Sequence, residues 1–231
     1  MRRCLLLSLM FLTFFLFGTL SYAQTKAQPQ PVYGGSLTIA QGVEPPGLDP
    51  TIATSAAIPR VVYGNVLEGL VRIDRTGKIV PALATDHKIS KDGKEYTFIL
   101  KKGVKFHDGK SLDAEDVKFT FGRLMDPQMT IPNRRYYQDI EAIEVIDAHT
   151  VKFKLKNPNS MFLFNLARPD SIIIHKQVAD QLKTAPVGTG PFKFVEWVRG
   201  DRIALAKFEG YHRKGLPYLD KVTFKFIGDP S

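Results

Sequence analysis

The chain has 231 residues, 44% of them hydrophobic and 24% charged, with 32 Lys and Arg against 23 Asp and Glu for a formal charge of +9. That balance is ordinary for a globular protein of one large domain or two small ones. One cysteine, Cys4, lies at the extreme N-terminus, so the body of the chain excludes disulfides, thiol nucleophiles and thiolate metal sites. The positive excess is spread along strand exteriors, as in Lys152, Lys154 and Lys156, which reads as a solvated face rather than a nucleic-acid patch.

Residues 1–23 have the form of a signal peptide: basic Arg2 and Arg3, the apolar run Leu5 to Phe17, and Ser21-Tyr22-Ala23 with small residues at both cleavage-recognition positions. Cleavage is expected after Ala23; the alternative is an uncleaved anchor. Cys4 precedes the apolar run and so is not a lipid-bearing cysteine. Residues 24–32 form a flexible linker rich in Gln and Pro. Ser36 to Ala40 predicts a first core strand. Glu44-Pro45-Pro46-Gly47-Leu48-Asp49-Pro50 must be an irregular loop, since three prolines and a glycine forbid a regular ladder. A helix is predicted within Ser55 to Leu67, then a hairpin of Val71–Ile73 and Lys78–Val80 around Asp74-Arg75-Thr76-Gly77.

Asp92-Gly93 turns the chain into the most legible stretch, Tyr96 to Leu124. Tyr96, Phe98 and Leu100 alternate with Thr97, Ile99 and Lys101, the period of a half-buried strand. Gly103 breaks it, Val104 to Phe106 predicts a short second strand, and His107-Asp108-Gly109-Lys110 a turn. Asp113 caps a helix whose Ala114, Val117, Phe121 and Leu124 share one face, closed by Asp126-Pro127. Beyond a loop over 127–137, the pattern predicts a hairpin of Ile143–Ile146 and Val151–Leu155 and a short helix around Phe162 to Ala167. A buried strand Ile172–Ile174 and a short helix His175 to Leu182 follow. Gly188-Thr189-Gly190-Pro191-Phe192 is a turn into the hairpin Phe192–Val198 and Arg202–Phe208, and Val222 to Ile227 is a last strand.

Signals for chemistry are sparse. His107-Asp108 invites an acid/base or metal reading, but His87, His149, His175 and His212 sit in unrelated settings and no H-E-x-x-H or close His pair occurs. No G-x-S-x-G elbow marks a nucleophile, and the Gly188 turn lacks the Gly-Lys-Ser/Thr ending of a phosphate loop. Nothing specific supports an enzyme. Arg168, between an apolar patch and Pro169, suits bidentate capture of a carboxylate, or else is a surface Arg with its stem on the core. Glu44 either meets a ligand ammonium or amide, or fixes amides of its own loop. Asn65 and Glu68 read as capping and packing groups.

The run Tyr96, Phe98, Leu100, Lys101, Gly103, Val104, Phe106, His107, Asp108, Gly109, Ala114, Glu115, Asp116 and Val117 resembles the signature of the family 5 extracellular solute-binding proteins. These are the dipeptide-, oligopeptide- and nickel-binding partners of bacterial ABC importers. The departure is Asp113, where Thr is expected; both cap. Leu48-Asp49-Pro50, Tyr63 to Leu70, Pro81 to Ala84, the Gly188 turn and Tyr211 to Asp220 are further points of likeness. The resemblance implies an α/β, periplasmic binding protein-like (class II, two-lobe) fold, with residues 33–231 as the N-terminal part and the second lobe absent, whether through a fragment or a truncated gene. It implies a periplasmic protein that captures a short peptide or similar small solute for an ABC permease at the inner membrane, with no cofactor, metal, nucleic acid or catalysis. The implied ligand contributors are Glu44, Leu48, Asp49, Arg168, Gly188, Thr189 and Gly190. Dipeptides, longer peptides, nickel chelates, sugars and haem all remain open as solutes. A secreted hydrolase and a truncated, non-binding remnant are the alternative readings.

Overall fold

The computed structural model describes residues 30–228, so the expected signal peptide and nearly all of the linker lie outside the described residues. From Val32 onward the chain forms one compact unit of mixed α/β type built on two four-stranded sheets. The strands and helices in chain order are β1 (Ser36–Gln41), α1 (Ala57–Val62), β2 (Val71–Ile73), β3 (Ile79–Pro81), β4 (Ala84–Ile89), β5 (Glu95–Leu100), α2 (Ala114–Met125), β6 (Ile140–Asp147), β7 (Thr150–Leu155), α3 (Phe162–Leu166), β8 (Phe192–Val198), β9 (Arg202–Lys207) and β10 (Lys221–Phe226).

The middle of the chain makes the antiparallel sheet β4-β5-β7-β6. Tyr96, Phe98 and Leu100 of β5 and Val151, Phe153 and Leu155 of β7 turn the same way and are buried. They meet Val117, Phe121 and Leu124 of α2 in one core, with Phe121 edge-on to Phe153 at 5.0 Å. Asp113 starts α2 through a full capping box: its carboxylate accepts from the Asp116 amide at 3.1 Å, and Asp116 returns the bond to the Asp113 amide.

The second sheet, ordered β1-β10-β9-β8, joins the two ends of the described chain, with β1 parallel to β10. Its buried face carries Ile203, Leu205, Val222 and Phe224 over Leu48, Ile58, Val61 and Val62. Register places Leu37 beside Val222 and Ile39 beside Phe224, on this same apolar face. Yet both are open, 47% and 37% exposed, so β1 is an uncovered edge and not the enclosed core strand its alternation predicts.

Four further expectations change. Val104 to Phe106 is not a strand; Lys105 makes one isolated bridge to Ser111 while Val104 and Phe106 plug the core, because Gly103 and Gly109 leave too short a run to propagate a ladder. Ile172–Ile174 is buried as expected but pairs only through a bridge from Ile172 to Gly69. Of the helix expected over His175 to Leu182, a single 3-10 turn, Ala179–Gln181, forms. The helix expected within Ser55 to Leu67 stops at Val62, where Asn65 folds back and donates to the Arg60 and Val61 carbonyls. Strand β4 went unpredicted, its Thr85 to Lys88 being polar and mostly exposed on the outer flank of β5.

Candidate functional site

The loop after β1 is held by its own acids. Glu44 accepts from the Trp197 indole at 2.8 Å and the Gly200 amide at 2.9 Å, while Arg199 lies over the Trp197 ring at 3.4 Å. Its carboxylate thus takes donors from the β8–β9 hairpin, 153 and 156 residues away in sequence, rather than from amides of its own loop. Leu48 is fully buried, and its amide donates to the Lys183 carbonyl at 2.8 Å. Asp49 is buried too: it accepts from the Thr51 amide and hydroxyl at 2.8 and 2.6 Å and pairs with Arg123 at 2.8 Å. Arg123 also donates to the Thr51 hydroxyl. Every oxygen of Asp49 thus has a donor, which is the condition for keeping a carboxylate out of water.

Arg168 differs. Its Nε donates to Asp170 at 3.0 Å and its guanidinium stacks on the Tyr136 ring at 3.8 Å. Among the described residues its two Nη groups have no hydrogen-bond partner, and the side chain is 24% exposed. It lines a cavity of about 240 Å³ together with Pro50, Thr54, Ser55, Pro59 and Asn133. Arg135 stands 4.9 Å from the same Tyr136 ring and bonds its hydroxyl at 3.0 Å. That bond, with the positive field of Arg135 and then Arg168, draws the Tyr136 phenol below its ordinary range. Asp170, the partner of Arg168, lines the same cavity, so its wall carries an ion pair whose guanidinium is held in plane by Tyr136 and keeps unspent Nη donors.

The Gly188-Thr189-Gly190 turn is packed inward. A Cβ on Gly188 would lie 1.9 Å from the Val66 carbonyl oxygen, and one on Gly190 would lie 2.4 Å from that of Asn65. The close approach that two glycines permit is thus to this chain's own backbone, where the Gly190 amide donates to Val66 at 3.0 Å. Thr189 is buried and donates to Glu68 at 3.1 Å; Tyr211 and His212 reach the same carboxylate at 3.0 and 2.9 Å. Burial, followed by the nearby Glu68 charge, pushes the Tyr211 phenol well up. His107 closes the other side of the turn, its Nε2 at 2.9 Å from the Gly190 carbonyl.

Of the residues expected to contact solute, the structure brings Gly188, Thr189 and Gly190 together, and Arg168 to a cavity that Pro50 of the Leu48-Asp49-Pro50 loop also lines. Glu44 sits apart, with Trp197 and Gly200. The partners Arg123, Tyr136 and Trp197 carry no local motif, and Tyr211 and His212, though within the Tyr211 to Asp220 segment, give no sign of what they bond; pairings 32 to 153 residues apart have no signature in one sequence. No group of three or more His, Cys, Asp or Glu is placed to hold a metal among the described residues.

The chain is 36% identical over 195 residues to the glutathione-binding protein GsiB of Pectobacterium atrosepticum, covering 83% of this chain and 38% of that relative. Among solved structures it resembles the PBP AgaA from A. tumefaciens R10 in complex with agropinic acid, at 38% identity and a TM-score of 0.78 over 84% of this chain and 40% of that one. It also resembles the oligopeptide-binding protein AppA of Bacillus subtilis in complex with a nonapeptide, at 32% identity and a TM-score of 0.80 over 86% and 41%. The chain therefore spans about two-fifths of the length of the proteins it matches. A family model described as bacterial extracellular solute-binding proteins, family 5 Middle, matches residues 78–231, two-thirds of the sequence, and the chain belongs to that family.

Proposed function

We propose that this chain forms one wall of a solute-binding cleft and that the whole protein captures a short peptide, or a similar small solute bearing a carboxylate, for import through an ABC permease. Export by residues 1–23 with cleavage after Ala23 and a periplasmic site of action complete the proposal. The observation that carries it is Arg168, whose Nη donors are unspent, whose plane is fixed by Tyr136 and Asp170, and which opens on a small cavity. Such a guanidinium suits a carboxylate end group. Asp49 and the Gly188–Gly190 turn act indirectly, by holding the loops that frame the cleft, and Glu44 does the same through Trp197. Binding follows from closure of two walls on the solute, a population shift that needs no bond to be made or broken. Relatives that bind glutathione, a nonapeptide or agropinic acid support a carboxylate-bearing guest.

The test is calorimetric titration of the protein as its source expresses it, with di- and tripeptides and their C-terminal amides. Saturable binding without turnover is expected, weakened about ten- to hundredfold in R168A, as for loss of charge-assisted hydrogen bonds. Equal affinity for acids and amides, or an unchanged R168A, removes Arg168 from the site. Consumption of the peptide overturns the binding reading altogether.

A further inference from the structure

The Gly188–Gly190 turn is gripped by an imidazole in a way that fixes where its proton lies. The Gly188 amide donates to His107 Nδ1 at 3.3 Å, and His107 Nε2 lies 2.9 Å from the Gly190 carbonyl oxygen. An amide can only donate and a carbonyl can only accept, so Nδ1 is bare and Nε2 carries the hydrogen. The main chain adds a third bond, the His107 amide to the Gly188 carbonyl at 2.9 Å. His107 thus bridges both ends of a turn some 80 residues away in sequence. We propose that His107 is the positioning residue of this turn and that it acts only as the neutral imidazole, so that acid unfastens residues 188–190 from their seat.

Protonation places a hydrogen on Nδ1 directly opposite the Gly188 N–H. One bond is lost and two donors are set against each other in a buried place, where an unsatisfied donor is costly. The surroundings do not supply a compensating ion pair. The charged and titratable groups facing His107 are Glu68, Lys193 and Asp108, and Phe208 closes the ring's side at 4.9 Å. Glu68 is already shared by Thr189, Tyr211 and His212, and Asp108 bonds His175 at 3.1 Å. Burial, the largest influence, draws the His107 proton affinity below its ordinary value, against the opposing pull of the Gly190 carbonyl and Glu68. The sign follows. A group whose folded affinity is depressed contributes stability that is whole above the unfolded pKa of about 6.5 and declines as pH falls through it toward the folded value. His175 is a built-in contrast, since its Nδ1 likewise accepts, from the Gln177 amide at 3.3 Å, but its Nε2 meets a carboxylate. Protonated His107, by contrast, faces a carbonyl and an amide.

This inference stands whether or not the turn touches solute. It is tested by NMR on the expressed protein between pH 7.5 and 4.5, which needs no variant. The ring nitrogens of His107 should report the Nε2–H tautomer at neutral pH and a midpoint below 6.5. Protection of the Gly188 amide, corrected for intrinsic exchange, should fall about tenfold from pH 7 to pH 5. In H107N, which can still accept from Gly188 but cannot titrate, that pH dependence should vanish, while in H175N it should persist. An Nδ1–H tautomer, a midpoint at or above 6.5, or Gly188 protection that does not change with pH would each overturn the proposal.

Discussion

At the residue scale, steric room decides more than chemistry. Gly188 and Gly190 carry no positive backbone φ, so their glycine identity is not about dihedral freedom. It is about the Val66 and Asn65 carbonyls, which occupy the space a Cβ would need. The contact is backbone to backbone, so no rotamer change can relieve it, and overpacking of this kind costs at least about 3 kcal/mol. G188A and G190A are therefore expected to unfold at markedly lower urea concentration or to fail to accumulate folded, whereas G122A, with open space around its Cβ in the body of α2, should be neutral or slightly stabilising. Equilibrium unfolding of the three variants side by side checks this, and a G188A protein as stable as the parent would show that Val66 can move. The same reasoning explains Asp49. Its pairing with Arg123 and Thr51 is a condition of burial, and both carboxylate oxygens already accept from donors inside the fold.

At the element scale, local signals were readable where capping and periodicity agreed. Helix α2 is the clearest case: an acidic cap, acids in the first turn and a single apolar face all specify the same helix. D113A should lose about 1 kcal/mol of unfolding free energy, whereas D113T, which keeps an accepting side-chain oxygen, should lose only a few tenths. The pH profile separates them further. Burial opposes ionisation of Asp113, but the Lys176 ammonium at 2.8 Å and the Asp116 amide outweigh it and hold its carboxyl below the usual 3.8. Its contribution is therefore complete above that value and disappears as pH falls through it to the folded value, so D113T should flatten that part of acid denaturation. Urea titrations at pH 7 and pH 3 measure both effects. Hairpins β2-β3, β6-β7 and β8-β9 were legible for the same reason, with turn residues and alternation in register. The segment 172–182 was not. Its three isoleucines satisfy a strand pattern, but they are buried by packing beneath α2, where Thr120 takes the Ile174 amide at 2.8 Å, so no neighbouring strand is needed. Strand β4 was missed for the converse reason: it pairs through backbone with almost no apolar payload, so nothing in its side chains announces it. The candidate site was legible as loops and as Arg168, but not as the distant partners that occupy Glu44, Asp49 and Thr189.

At the scale of the whole molecule, the sheet β1-β10-β9-β8 is finished on one side only. Ile203, Leu205, Val222 and Phe224 are covered, while Leu37 and Ile39, on the same face one strand further out, are not. An edge strand in a soluble protein ordinarily protects itself with charge, proline or a bulge, and β1, Ser-Leu-Thr-Ile-Ala-Gln, has none of these in regular register with β10. Among the described residues, the α/β body thus leaves an apolar flank open along β1, as expected where a second wall of a binding protein would cover it. The consequence is measurable. Purified residues 24–231 should enhance the fluorescence of a hydrophobic-surface dye such as ANS under fully native conditions, because folded monomers seldom leave contiguous apolar surface of this kind open. Replacing Leu37 by Lys and Ile39 by Thr should reduce that signal by roughly half with no loss of far-UV ellipticity, since both side chains are already partly in water and their removal forfeits only part of a core residue's burial. The same double substitution in the protein as its source expresses it should instead be destabilising if another part of that protein covers the flank there. Parent and variant with equally weak dye binding would mean that β1 is sealed by its immediate neighbours, and the two-walled architecture would then lose its support in the structure of this chain.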